Sequence, residues 1–146
     1  MDQRFEQCLN EGKVVRISVQ SDLIQKEINA AKLDLESAKV SLSSNNFKWS
    51  IVQAYYSMFH TSKALVLSKG YREKSHICLS FALKALFTDT NILQIKHFER
   101  FRDCMDLRED ADYGLIYSND SAKTAFDWAN EFFDVAIVHL QKSNLI

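Results

Sequence analysis

The chain has 146 residues, 47% of them hydrophobic, and a formal charge of -1 from 18 basic and 19 acidic side chains. That length suits one ordinary domain with its own core, and the near-neutral total excludes a strong global field gathering nucleic acid, leaving only local patches. With no proline and three glycines, flexible linkers and tight hairpin turns are not expected, so residues 1–146 read as a single all-α domain.

Cys8, Cys78 and Cys104 lie far apart without paired spacing, which suggests neither a disulfide framework nor a zinc site. They are expected as small buried hydrophobes in a reducing cytosol. The opening MDQRFEQCLNEG lacks the basic-then-apolar pattern of a leader, and no apolar run is long enough to span a bilayer. A soluble, cytoplasmic protein without a membrane partner is expected.

Asp2 to Glu11 can form a short helix stopped by Gly12, and the VVRISV stretch that follows is too isolated to start a sheet. Residues 1–20 are therefore expected as an N-terminal arm or short helix. Ser21 can cap the next helix, whose stripe Ile24, Ile28, Ala31, Leu35, Ala38, Leu42 alternates steps of four and three. Ser43 to Asn46 closes it, and so short a connection makes the following helix its antiparallel neighbour.

That following helix, Ile51 to Gly70, is expected to be central. Val52, Tyr55, Phe59, Ser62 and Val66 share one face, and Ile51, Ala54, Met58 and Leu65 widen it until most of the circumference wants burial. Gly70 suits the left-handed position just past a helix end. After the loop Tyr71 to Lys74, Ser75 can cap a helix carrying Leu79, Leu83, Leu86 and Phe87 to about Thr88. Another runs from about Ile92 to Tyr113, with Phe98, Phe101 and Met105 inward and Gly114 as its stop. The last opens near Asn119 or Asp120, with Ala122, Ala125 or Phe126, Ala129, Phe133, Ala136 and Leu140 on one face. A second stripe, Trp128, Phe132, Val135 and His139, is expected as a subunit contact, because one bundle core cannot easily use both.

The anomaly lies on the helix before last. Continuing the stripe Phe98, Phe101, Met105 by the same steps reaches Arg108 and then Asp112, so charges occupy a core-like track, four apart on one face. One reading is an ion pair at a frayed helix end, worth about 0.3 to 0.5 kcal/mol when exposed. The other is that the track enters a cleft, where the planar Arg108 fork holds a phosphate, Asp112 orients it and Tyr113 adds a hydroxyl. His76 falls in the first turn of its helix, where free backbone donors can receive an anion, and Arg72, Lys74 and Ser75 precede it in a basic, hydroxyl-bearing corner, YREKSH. His60 shares a helix flank with Tyr56 and Lys63, company more typical of a hydrogen-bonded structural histidine; Tyr56 and His60 complete the candidate nucleotide contacts. His97 and His139 lack polar neighbours at helical spacing. No metal set, nucleophilic triad or glycine-rich phosphate loop is evident, and no cofactor is implied.

Taken together, the AYYSMFH helix, the KGYREKSH corner and LREDADYG resemble the HEPN superfamily (higher eukaryotes and prokaryotes nucleotide-binding), in a small branch related to HepT-type toxins, over about Leu9 to Leu140. The resemblance implies an antiparallel up-down bundle of four to five helices, a homodimer, and pairing with a minimal nucleotidyltransferase as toxin and antitoxin. Many HEPN proteins are metal-independent endoribonucleases in which a histidine four to six residues after an arginine removes the ribose 2'-hydroxyl proton, while the arginine steadies the phosphate. Here Arg108 matches the arginine, whereas Asp112 and Tyr113 stand where the histidine falls, and His76 is a histidine that could approach Arg108 in the folded bundle or across a dimer. Tyr113 is the nearest equivalent of the tyrosine that the partner enzyme modifies in HepT toxins. The sequence thus suggests a HEPN-like module that binds nucleotide or RNA in a polar cleft, with endoribonuclease action as its enzymatic form. The alternative is a noncatalytic partner that recruits or regulates a nucleotidyltransferase.

Overall fold

A computed structural model describes residues 1–146. Six α-helices are accompanied by one two-stranded ribbon: α1 (Gln3–Asn10), β1 (Val14–Arg16), α2 (Ser21–Ser43), α3 (Phe47–Ser68), β2 (Tyr71–Glu73), α4 (His76–Leu83), α5 (Ile95–Asp112) and α6 (Asn119–Lys142). The architecture is the all-α antiparallel bundle expected, with α3 at its centre, packed on α2, α4, α5 and α6. Burial of α3 extends round nearly its whole circumference, from Ile51 and Val52 to Met58, Leu65 and Leu67.

The α2–α3 pair shows how the polar positions of an otherwise apolar helix are used. Ser50 Oγ donates to the Ala38 carbonyl at 2.8 Å and Ser57 Oγ to the Ala31 carbonyl at 2.9 Å, so partners on α2 fall in number as those on α3 rise. That register is antiparallel, as the short connection Ser44 to Asn46 requires, and small hydroxyls let the two backbones approach without leaving a buried donor unpaired.

Several boundaries differ from expectation. α3 starts four residues before Ile51, at Phe47, because the turn is made by Asn45 alone in the left-handed region, at φ 61°. The Ser21 hydroxyl does not cap α2; the helix begins at Ser21 and the cap position is Gln20, without a side-chain bond. Ser75 does cap α4, accepting from the Cys78 amide at 3.1 Å. Beyond Leu83 the helix widens into a π-type turn over Lys84 to Thr88, where the Asp89 amide reaches back to the Lys84 carbonyl. α5 starts only at Ile95.

Two expectations about the first twenty residues are corrected. VVRISV does start a sheet: β1 pairs antiparallel with β2, matching Val14 with Glu73, Val15 with Arg72 and Arg16 with Tyr71. And Cys8 is joined to Cys78 by a disulfide, with Cα atoms 5.9 Å apart at a sequence separation of 70. Neither pairing leaves a local signature, since both depend on how the chain returns after two long helices. Cys104 is free and buried, the hydrophobe expected of all three. Gly70 makes the return possible at φ 81°, where a Cβ would lie 3.1 Å from the Ile17 carbonyl oxygen.

The two stripes of α6 are also redistributed. Phe132, assigned to an outer stripe, is fully buried, whereas Phe133, assigned to the core, is half-buried. Trp128 lies under the Arg100 guanidinium and His139 edges onto Phe87, so the second stripe is largely covered within the chain. The alanine seam Ala122, Ala125, Ala129 and Ala136 lets α6 sink close enough for both flanks to be used. No helix is long and apolar enough to cross a membrane.

Candidate functional site

The site forms where three helices meet. α3 supplies Tyr55 and Tyr56, α4 supplies His76 at its first residue, and the second half of α5 supplies Arg108. Tyr55, His76 and Arg108 line a cavity of about 200 Å³, closed by Ile77 and Met105 and by the charged side chains of Arg102, Asp106 and Glu109. Steps of three and four along α5 put residues 102, 105, 106, 108 and 109 on one side of the helix.

Tyr55 is 1% exposed, and its hydroxyl lies 2.6 Å from Nδ1 of His76. Burial, followed by the neighbouring Tyr56 ring, pushes the phenol well above the ordinary tyrosine value, against the pull of Arg108, so Tyr55 carries its proton at neutral pH. Donation to Nδ1 satisfies that proton and leaves the other ring nitrogen, Nε2, to carry the imidazole hydrogen; in the opposite tautomer Tyr55 accepts and Nε2 is a free base. The His76 ring also packs on Phe59, with centroids 4.3 Å apart, while keeping an exposed edge. Burial first, then the positive charges of Arg108 and Lys63, lower its pKa, so the ring is neutral at pH 7.

Arg108 is held by aromatic rings rather than by a carboxylate. Its Cζ stands 5.8 Å from the Tyr55 ring, 5.5 Å from Tyr56 and 5.7 Å from Tyr113, and Nη2 donates to the Tyr56 hydroxyl at 3.1 Å. Asp112 approaches Nη2 only to 3.8 Å, beyond hydrogen-bond length, although both side chains are largely buried, at 21% and 26% exposed. Nε is buried without any acceptor. A guanidinium confined in this way keeps donors that no side chain of the protein takes up, the chemistry by which an arginine fork meets the paired oxygens of an anion.

The remaining candidates are dispersed. Tyr113 is 75% exposed, its ring against Arg108. Arg72 and Lys74 are exposed and do not line the cavity, and the Ser75 oxygen is engaged as the α4 cap. His60 faces α2 instead, with Nδ1 2.6 Å from Glu27 and Nε2 3.7 Å from Asp34, while Lys63 bridges Glu27 and Glu73. Burial opposes ionisation of Glu27, but the His60 hydrogen bond and the Lys63 charge outweigh it and hold the carboxyl below its usual range. This is an interhelical network fixing α3 on α2, remote in character from the cavity.

Tyr55 was legible only as packing, though a hydroxyl in the middle of an apolar face is itself a signal, since a buried phenol needs a partner. Arg102, Asp106 and Glu109 line the cavity too, and the signal for them is their helical spacing from Arg108. His97, another histidine without apparent polar company, is 2% exposed, stacked on Phe132 with Nδ1 unpartnered. No group of three histidine, cysteine or acidic side chains is arranged to hold a metal ion.

Comparison with known proteins places this geometry. The HEPN domain family matches residues 24–141, from the first turn of α2 to the last turn of α6. The chain is 30% identical over 101 residues to a protein of Methanocaldococcus jannaschii named "Putative toxin MJ0142", covering 69% of this chain and 68% of that one. It is 28% identical over 90 residues to a second from the same organism, "Putative toxin MJ0605", covering 62% and 67%. A UPF0332 protein of Pyrococcus horikoshii is 42% identical over 53 residues, only 36% of this chain and 37% of that relative. With the match running through every helix that builds the cavity, the chain belongs to the HEPN domain family.

Proposed function

We propose that this HEPN protein is toxin-like, one half of a two-component pair, and that its cavity binds the phosphate of single-stranded RNA and cleaves it. The observation that carries this reading is the convergence of His76 and Arg108, from separate helices, on one cavity in which Tyr55 fixes the imidazole. The names of its relatives support the toxin-like part.

In the proposed reaction His76 Nε2 takes the proton of a ribose 2'-hydroxyl while Tyr55 holds Nδ1. The 2'-oxygen bonds to phosphorus, the bond to the 5'-oxygen breaks, and the leaving oxygen recovers a proton from the imidazolium or solvent. Arg108 donates to a non-bridging oxygen as charge gathers there. Asp106 and Glu109, which would repel a phosphate placed beside them, accept from ribose hydroxyls instead. A neutral imidazole is the form that such a base needs, whereas Asp112, 3.8 Å from Arg108 and not part of the cavity lining, acts as a positioning group. Dimerisation and a nucleotidyltransferase partner acting on the exposed Tyr113 belong to the same reading.

The test is cleavage of a single-stranded RNA by purified protein in EDTA. Wild type is expected to cut, and His76→Ala and Arg108→Ala are each expected to lose at least a hundredfold in rate, on the scale of a general base or charge-stabilising donor, with little change in Tm. Intact RNA with the wild type, or cutting by both variants, overturns the nuclease reading. The second reading, a noncatalytic partner that recruits or regulates a nucleotidyltransferase, is favoured by the exposed Tyr113, Leu115, Ile116 and Tyr117 that follow α5. It predicts intact RNA and co-purification of such an enzyme.

A further inference from the structure

We propose that the N-terminal arm, residues 1–20, is the positioning element for His76: pairing of β1 with β2 on one side and the Cys8–Cys78 disulfide on the other clamp the corner that carries this ring. The proposal rests on His76 being part of the site. The arm lies outside the residues matched by the family, 24–141, whereas β2, His76 and Cys78 lie within them.

His76 is the first residue of an α-helical segment of only eight, and first turns fray because their amides lack intrahelical acceptors. One Ser75 hydroxyl caps a single amide there. The ring's contacts with Phe59 and Tyr55 cover one side and leave the other exposed, so they depend on the backbone arriving at the right place. The arm fixes that arrival at three successive points. Tyr71 to Glu73 take β1 as their strand partner, the Lys74 amide donates to the Lys13 carbonyl at 2.8 Å, and Cys78 is bonded to Cys8. His76 sits between the second and third. The arm in turn is anchored by Phe5 and Val14, both buried, with Phe5 edge-on to Tyr71. Cutting the covalent tie loosens the α4 start without touching any residue of the cavity wall.

A loosened corner lets the imidazole leave Tyr55 for water. The groups that face the ring are Tyr55, Tyr56 and Lys63 from α3 and Arg102, Asp106, Arg108 and Glu109 from α5, and the charges whose effect on it is resolved, Arg108 and Lys63, both disfavour protonation. Solvation would therefore move its titration upward, toward that of an exposed histidine.

The experiment follows the ring resonances of the four histidines by NMR against pH in oxidised wild type and in Cys8→Ser. The expected result is an upward displacement of the His76 titration alone, with faster amide exchange at residues 76 to 80, while His97, between α5 and α6, titrates as before. If Cys8→Ser does not fold, Val14→Ala keeps the disulfide, thins the anchoring of β1 and should displace His76 in the same direction by less. An unchanged His76 titration in whichever variant folds, even with a lowered Tm, reduces the arm to a general stabiliser and overturns the proposal. No RNA enters these measurements. A displaced His76 in a protein that leaves RNA intact upholds the positioning role and defeats the nuclease reading, and the converse pair of results does the opposite.

Discussion

The Tyr55 hydroxyl and Nδ1 of His76 meet at 2.6 Å across the junction of α3 and α4, one of them fully buried and the other open to solvent along an edge. This bond converts a core tyrosine into a fixed point for a titratable ring. It also joins the centre of the bundle to the end of a short helix held from outside by the arm.

Replacing Tyr55 by phenylalanine keeps the ring stacking on Phe101 and removes only the hydroxyl. A net loss of about 1 kcal/mol is expected, the usual worth of such a bond. In the tautomer that the proposed base requires, Nδ1 donates to the Tyr55 hydroxyl, so the substitution removes an acceptor that favours the imidazolium, and His76 should titrate lower. Urea unfolding and NMR titration check the two parts. An unaltered His76 titration would show that the bond does not set the ring's protonation.

Stability should fall with acid in two stages. His76, His97 and His139 all lie below the ordinary value of 6.5, burial being the leading cause for each, with nearby lysines and arginines adding to it and Glu131 opposing it at His97. Between their folded values and 6.5 the unfolded chain binds more protons, so stability is fully present above about pH 6.5 and declines as the pH drops below it. Glu131 acts lower down: hydrogen bonds from Lys96 and Arg100 hold it at about 2, and its contribution, discounted for solvent exposure, is lost as pH falls from 4.5 toward that value. Urea midpoints from about pH 8 to about pH 3 should trace both declines. His97→Phe, which preserves the stack on Phe132 and cannot titrate, should flatten the first. A midpoint constant between about pH 8 and about pH 5 is incompatible with three depressed histidines.

Gly70→Ala should destabilise by about 1 to 2 kcal/mol, the penalty for a side chain in the left-handed region, with a further contribution from crowding the Ile17 carbonyl. The damage should be local, since Gly70 also accepts from the Ile17 amide at 2.9 Å and so begins the β1–β2 pairing. Thermal unfolding measures the first effect, and loss of amide protection at Ile17 the second. Wild-type Tm and protection would show that the turn relaxes at no expense.

Much of the bundle could be read along the chain because helices advertise themselves locally. The stripe from Ile24 to Ala38 is buried as its spacing demands, Ser75 caps, and Gly70 turns, each through interactions spanning a few residues. Arg108 stood out for the same reason: a charge on an apolar track is visible in the sequence itself. The allocation of Phe132 and Phe133 on α6 was less legible, since a helix with two apolar flanks does not declare which is inward until its neighbours are in place.

What residue order determined, then, was helix periodicity, helix ends and the out-of-place charge, all set by backbone geometry within a turn or two. Tertiary structure alone decided that a strand at Val14 would find Tyr71 to Glu73, that Cys8 would reach Cys78, that His60 would spend itself on Glu27, and that Tyr55 would meet His76 beside Arg108. These partners are separated by 21 to 70 residues, and no local preference encodes them. They form because burying α3 on all sides brings the ends of the other helices to common places, where polar groups distant in sequence become one another's nearest partners.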